Sequence, residues 1–160
     1  MWSSWIVVGM VSLGSYYILV QSSNTDSVAR ASLEVGLADS MAIYRDSVIK
    51  YAHDHPEAIG RVANENLSYP TWRPRPPTDR WANYIDEGGI ITVYAQKLPA
   101  VSITAEIAAL SHDSAMAGQF NGTNGEIDTP SHRGERARPP ALPAGNVIPD
   151  KAPVWLAVRN

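Results

Sequence analysis

No charged side chain precedes Asp26, and the stretch from Trp5 to Val20 (WIVVGMVSLGSYYILV) is almost wholly apolar or small. As a helix rising ~1.5 Å per residue, Trp2 to Val20 would span a little under ~30 Å, the hydrocarbon thickness of a bilayer. The expected organisation is therefore a transmembrane anchor over residues 1–22 followed by a single soluble domain over residues 23–160. Trp5, Ile6, Val7, Val8, Met10, Val11, Leu13, Tyr16, Tyr17, Ile18, Leu19 and Val20 make up the anchor, with membrane lipid as their solvent. Trp2, Trp5, Tyr16 and Tyr17 fall towards its two ends, where an amphipathic ring gains from one wet edge. Two rivals stand beside this reading. A cleaved secretory signal would carry a basic start and a shorter apolar core, yet no Lys or Arg occurs before Arg30. A buried soluble helix is the other. The same scarcity of Lys and Arg leaves the positive-inside rule with almost nothing to weigh.

The chain has no cysteine, which removes disulfides, thiol catalysis and Cys-ligated zinc. Thirteen basic against sixteen acidic residues, formally −3, speak against a general nucleic-acid binder.

From Asn24 or Thr25, either of which suits a helix cap, good helix formers run to His55. Leu33, Leu37, Met41, Tyr44, Val48, Tyr51 or Ala52, and His55 recur every three or four positions, so they line one side of a long amphipathic helix. Arg30, Asp39, Arg45, Asp46, Lys50 and Asp54 fall mostly off that stripe, as a solvated face. Pro56 ends the run. The segment YPTWRPRPPTDRW, residues 69–81, holds four prolines and reads as a stiff crossing loop. Trp72 and Trp81 flank its arginines; both are expected to be packed, and a docking role for Trp72 and Arg75 is the functional alternative.

Trp81–Ile85 and Ile90–Gln96 are β-rich runs joined by Asp86-Glu87-Gly88-Gly89, the pattern of a hairpin. Ser102 to Met116 has helical spacing, with Gly118 placed to stop it. Asn121-Gly122 and Asn124-Gly125 signal turns between short strands. Residues 129–143 are proline-rich and basic with no apolar period, so a mobile loop is expected there. Pro153–Val158 is a final strand that brings Trp155 to the sheet. The pattern is that of an α+β domain in which a long helix packs on a small antiparallel sheet, with a second, shorter helix.

Catalytic signatures are thin. His53 and His55 point roughly 200° apart on a helix and cannot share a metal there as residues four apart can. His112-Asp113-Ser114 are neighbours in sequence, whereas a triad requires convergence in space. Asp86-Glu87 sits in a turn where exposed acids are common. No glycine-rich phosphate loop with its lysine occurs, which excludes ATP hydrolysis by that route. Nothing calls for a cofactor or a metal, and the residues favour a non-enzymatic role. His132, Arg133, Arg136 and Arg138 form a basic cluster whose ordinary reading is a solvated linker, with Arg133 and Arg136 as further candidate partner contacts.

Together, the neutral start running into an apolar helix, MAIYRDSVIKYAHDHPEAIGRVANENLSYPTW over residues 41–72, GIITVYAQ ahead of LPAVSITAEIAAL, and LPAGNVIPDKAPVWLAV near the end resemble the small PilM family encoded with the type IVB thin pilus of conjugative plasmids. This family is unrelated to the actin-like ATPase that shares its name. Tyr44-Arg45, His55-Pro56, Gly60-x-Val62, Pro70-x-Trp72 and Ile148-Pro149-Asp150 carry the likeness in their shared order. Residues 129–140 are longer and more basic than the resemblance leads one to expect, and Lys151 stands where a turn glycine is expected. The resemblance implies a single-pass inner-membrane protein with its soluble part in the periplasm, serving pilin transport or the pilus basal body. Its implied partners are other pilus biogenesis proteins, with self-association open. The alternatives are a pilin-like subunit, for which a basic leader and an acidic residue inside the apolar run are lacking, and a membrane-tethered periplasmic hydrolase.

Overall fold

The computed structural model describes the backbone of residues 3–130 and 136–159 and, within those ranges, the side chains from residue 27 onward. The side chains of Trp5 through Val20, on which the expected anchor rests, and the whole of His132 and Arg133 lie outside the described residues. Among the described residues, no helix is long and apolar enough to cross a membrane. Two compact units are present, Met1–Leu33 and Glu34–Asn160. The first consists of the N-terminal part of helix α1, which is assigned as Ser3–Asp54. It runs through Asn24 and Thr25, the expected cap, because such residues cost a helix interior only tenths of a kcal/mol.

In the second unit, α1 carries a buried stripe of Ala38, Met41, Tyr44, Val48 and Ala52. The spacing of three and four holds as expected, but the stripe starts later: Leu33 is 58% exposed and belongs to the first unit. The helix closes at Asp54, and exposed His55 stacks on Tyr51 with ring centroids 4.2 Å apart. Arg45 also departs from the solvated face assigned to it. Its guanidinium lies 4.7 Å from the centre of the Trp155 ring, and burial lowers its pKa.

The sheet is five-stranded and antiparallel throughout, in the order β1-β2-β5-β3-β4. Its strands are β1 (Trp81–Ile85), β2 (Ile90–Ala95), β3 (Ala117–Asn121), β4 (Glu126–Asp128) and β5 (Pro153–Val158). The β1–β2 hairpin turns where Gly89 takes φ 79°, and Asp86 stiffens it by accepting the Ile90 amide at 2.6 Å. That bond gives the Asp86 carboxylate a structural task. The last strand in sequence, β5, fills the centre and pairs Trp155 with Val93 on one side and Ala117 on the other.

Helix α2 is shorter than its spacing predicts, Thr104–Leu110 rather than 102–116. His112 and Asp113 both adopt left-handed backbone, φ 54° and 58°, and the Asp113 amide bonds back to Ala108 at 2.7 Å, which winds the helix off before Gly118. Gly118 has a different role. It lies within β3, where an added Cβ would collide with the Asp128 carbonyl and meet Ile127 Cγ2 at 2.8 Å.

Neither sheet edge is left bare. The Gly60 amide and carbonyl pair with Ile85 at 2.8 and 2.9 Å along β1, and the Ile127 amide of β4 donates to Ala137 at 2.8 Å. Each outer strand is thus covered at one residue, which hinders pairing with foreign strands there. The Ala137 contact also fixes part of the segment expected to be a mobile loop.

The Pro149–Ala152 turn closes with an Ala152-to-Pro149 bond of 3.0 Å and holds Lys151 at φ 63°. An L side chain in the left-handed region costs roughly 1–2 kcal/mol, part of which glycine gives back through its freer unfolded chain. Lys151→Gly is therefore expected to stabilise the domain by about 0.5–1 kcal/mol, seen as a higher urea midpoint with an unchanged slope.

Candidate partner-binding surface

Between α1 and β1 the chain makes a long excursion that returns to the sheet at Trp81. Prolines at 70, 74, 76 and 77 stiffen it, and a buried amide pins it down. Asn83 sits on the α1 side of β1 at 1% exposure. Its Oδ1 accepts the Val62 amide at 2.7 Å, and its Nδ2 donates to the Val62 carbonyl at 2.9 Å and to Tyr44 Oη at 2.7 Å. Tyr44 in turn donates to Asn64 Oδ1 at 3.0 Å, and Asn64 Nδ2 donates to the Thr78 carbonyl at 2.8 Å. One chain of hydrogen bonds thus ties helix, strand and both ends of the excursion together. Composition and periodicity missed this network; the only trace of it in the sequence is a polar residue in the middle of an otherwise apolar strand.

The exposed part of the excursion carries stacked arginines. Trp72 is 75% exposed, against the expectation that both loop tryptophans are packed, whereas Trp81 is fully buried as expected. The Arg73 guanidinium lies 4.7 Å from the Trp72 ring centre, and that of Arg75 lies 5.2 Å from Tyr69 while donating to the Asn64 carbonyl at 3.2 Å. Among the described residues, Arg73, Arg75 and Arg80 have no acidic partner within ion-pair distance. Two grooves of about 450 Å³ each run between this loop and α1. Lys50, Arg73, Arg75 and Arg80 line them against Asp39 and Asp46, leaving an excess of positive charge in a chain that is negative overall. Exposed Trp and Arg on a stiff frame have the composition of a protein-binding hot spot and lose little entropy on docking.

Of the other candidate contacts, Arg133 lies outside the described residues and Arg136 lies at the far edge of the sheet. Arg136 pairs with Glu126 at 3.2 Å and Asp128 at 3.7 Å, and Arg138 with Glu126 at 3.5 Å, so Arg136 is engaged with β4. The structure does not bring Trp72 and Arg136 into one site. Nor does it gather the described histidines: His53 and His55 are exposed at the end of α1, while His112 lies in the turn after α2, where Ser114 Oγ accepts the Met116 amide at 3.3 Å. Among the described residues, no group of three or more His, Asp or Glu side chains could hold a metal ion.

Burial raises the phenol pKa of Tyr44, against the pull of its bond from Asn83, and that of Tyr94. Burial, with Tyr44 nearby, pushes Tyr69 up to about 12. A raised folded-state pKa stabilises the protein below the ordinary value of 10.0 and loses that contribution as pH climbs through the folded one. The urea midpoint is therefore expected to hold up to about pH 10 and then fall towards about pH 12, while the tyrosinate absorbance of these residues in the folded protein rises only at the upper end of that range.

No curated protein and no solved structure matches the chain. The PilM family model matches residues 8–156, nearly the whole length. The chain accordingly belongs to the PilM family of thin-pilus biogenesis proteins.

Proposed function

We propose that this protein is a non-enzymatic, inner-membrane component of the thin pilus machinery. In this reading its N-terminal segment is anchored in lipid, its sheet domain lies in the periplasm, and it serves pilin transport or the basal body. The surface built on Trp72, Arg73 and Arg75 docks other pilus biogenesis proteins. The observation that carries the reading is the pair of stacked arginines, with no acidic partner among the described residues, beside a 75% exposed tryptophan on a loop held rigid by the Asn83 network. The covered sheet edges favour docking through side chains over strand addition.

Site-specific photocrosslinking in assembled membranes tests it. A crosslinker at Trp72 is expected to give discrete adducts with other pilus proteins, and one at Arg136, already engaged with β4, far fewer. Absence of adducts at Trp72 in membranes that assemble pili would remove the surface. Resistance of the full-length protein to alkaline carbonate extraction checks the anchor separately.

A pilin-like subunit is the second reading, because α1, assigned over 52 residues, leads into an antiparallel sheet as a pilin helix does. N-terminal sequencing of the cellular protein distinguishes the two. An intact Met1 supports the assembly component, and processing supports the subunit.

A further inference from the structure

Two Asn-Gly pairs lie in the β3–β4 connection, and asparagine before glycine is the most labile backbone setting for that side chain. With no side chain on the next residue, its amide nitrogen meets little steric resistance in attacking the asparagine carboxamide. At Asn121-Gly122 all the participants are held. The Gly122 amide donates to Asp150 Oδ1 at 2.8 Å, Asn121 Oδ1 accepts the Thr123 amide at 3.0 Å, and Asn121 Nδ2 donates to Asp128 Oδ2 at 3.0 Å. Glycine gives Asp150 room at 122, because a Cβ there would meet Cβ and Oδ1 of Asp150 at a tight 3.2 Å each and Asp150 would have to shift by a few tenths of an ångström. The approach that brings the guarding carboxylate close is thus the same feature that favours a glycine after asparagine.

We propose that Asn121 is a latent deamidation site that Asp150 keeps closed. The reaction joins the Gly122 nitrogen to Asn121 Cγ and breaks the bond from Cγ to Nδ2. Nitrogen leaves as ammonia, taking up the proton that Gly122 gives up. Water then opens the cyclic imide at either carbonyl, leaving aspartate or isoaspartate; nothing is oxidised or reduced. While the Gly122 proton is committed to Asp150, and the carboxamide is turned towards Thr123 and Asp128, attack is blocked. Once the reaction occurs it is self-propagating for the local structure. The new carboxylate replaces a donor 3.0 Å from Asp128, where like charges repel. The β3 end that also bonds to the Pro149–Ala152 turn, through Lys151 and Phe120 at 2.8 Å, then loosens.

The second pair supplies an internal control. The Gly125 amide donates to the Asn121 carbonyl at 2.8 Å, so its protection does not involve Asp150. Full-length protein is incubated at neutral pH in heavy-oxygen water, and mass spectrometry follows isotope incorporation at residues 121 and 124 separately. Asp150→Ala is expected to speed deamidation at Asn121 by about tenfold while leaving Asn124 unchanged, the loss of one charge-assisted hydrogen bond read as a rate. Asp150→Asn, which keeps an acceptor oxygen, is expected to fall in between. An unchanged or slower rate at Asn121 in Asp150→Ala would overturn the proposal, the slower rate showing that the carboxylate acts as a base instead. Equal acceleration at both asparagines would also overturn it, since that reports opening of the whole connection. The Asp150→Asn variant keeps the test decisive if the alanine variant fails to fold.

Discussion

Trp81→Ala is expected to destabilise the domain by about 3–5 kcal/mol, a large share of the 5–15 kcal/mol that holds a domain of this size together. Trp81 is fully buried at the start of β1, facing α1, and its indole Nε1 donates to Ser40 Oγ at 3.0 Å. Alanine would open a void between helix and sheet and leave the serine hydroxyl without its donor. The measurement is urea unfolding followed by far-ultraviolet circular dichroism, which does not depend on the lost fluorophore. Trp81→Phe separates the contributions. It keeps most of the apolar volume and loses the hydrogen bond, so a cost of about 1–2 kcal/mol is expected. If alanine and phenylalanine prove equally costly, the indole nitrogen matters more than its bulk and the packing account fails.

Asn83→Leu carries the second large effect, about 2–4 kcal/mol, because a side chain of similar volume removes three hydrogen bonds and strands their partners. The Val62 amide and carbonyl lose the group that imitates a neighbouring strand, and Tyr44 Oη loses a donor. This variant should also show a local signature that a plain core defect would not. Hydrogen exchange at the Val62 amide is expected to accelerate well beyond the change in global stability, as the loop behind Trp72 is released. Combining Asn83→Leu with Tyr44→Phe should cost less than the sum of the two, since both cut the same network. Strict additivity would show that the two side chains act independently.

These two residues also show what the sequence makes legible. Period-two alternation and the Gly88-Gly89 turn disclosed the β1–β2 hairpin, because both signals are local in the backbone. The three-and-four spacing likewise disclosed the helix face that buries Met41, Tyr44 and Val48. Other features depend on tertiary partners, which no window of residues contains. Trp72 and Trp81 look alike in sequence, yet one is 75% exposed and the other fully buried, because only Trp81 enters the strand that meets α1. Arg45 lies off the apolar stripe but covers Trp155, a residue 110 positions away. The end of α2 depends on left-handed backbone at His112 and Asp113, neither of them glycine, so the usual stop signal points six residues too late, to Gly118. Family resemblance supplied the link to pilus biogenesis that residue chemistry alone did not. Trp72 and Arg75 were legible as candidate partner contacts, whereas the exposure of Trp72 and the stacking of Arg73 and Arg75 on aromatic rings were not.

The central position of β5 has a consequence for how the protein is made. The two hairpins, β1–β2 and β3–β4, are joined through β5 alone, and β5 is the last element in the chain. Until β5 has been made and has paired, each hairpin presents one unsatisfied inner edge, and the core cannot close. Folding is therefore governed by distant pairings, which slows it and exposes sticky intermediates. Deleting Pro153–Val158 would remove 6 residues and yet leave the two hairpins with nothing to join them, which makes this strand the least expendable stretch of the domain.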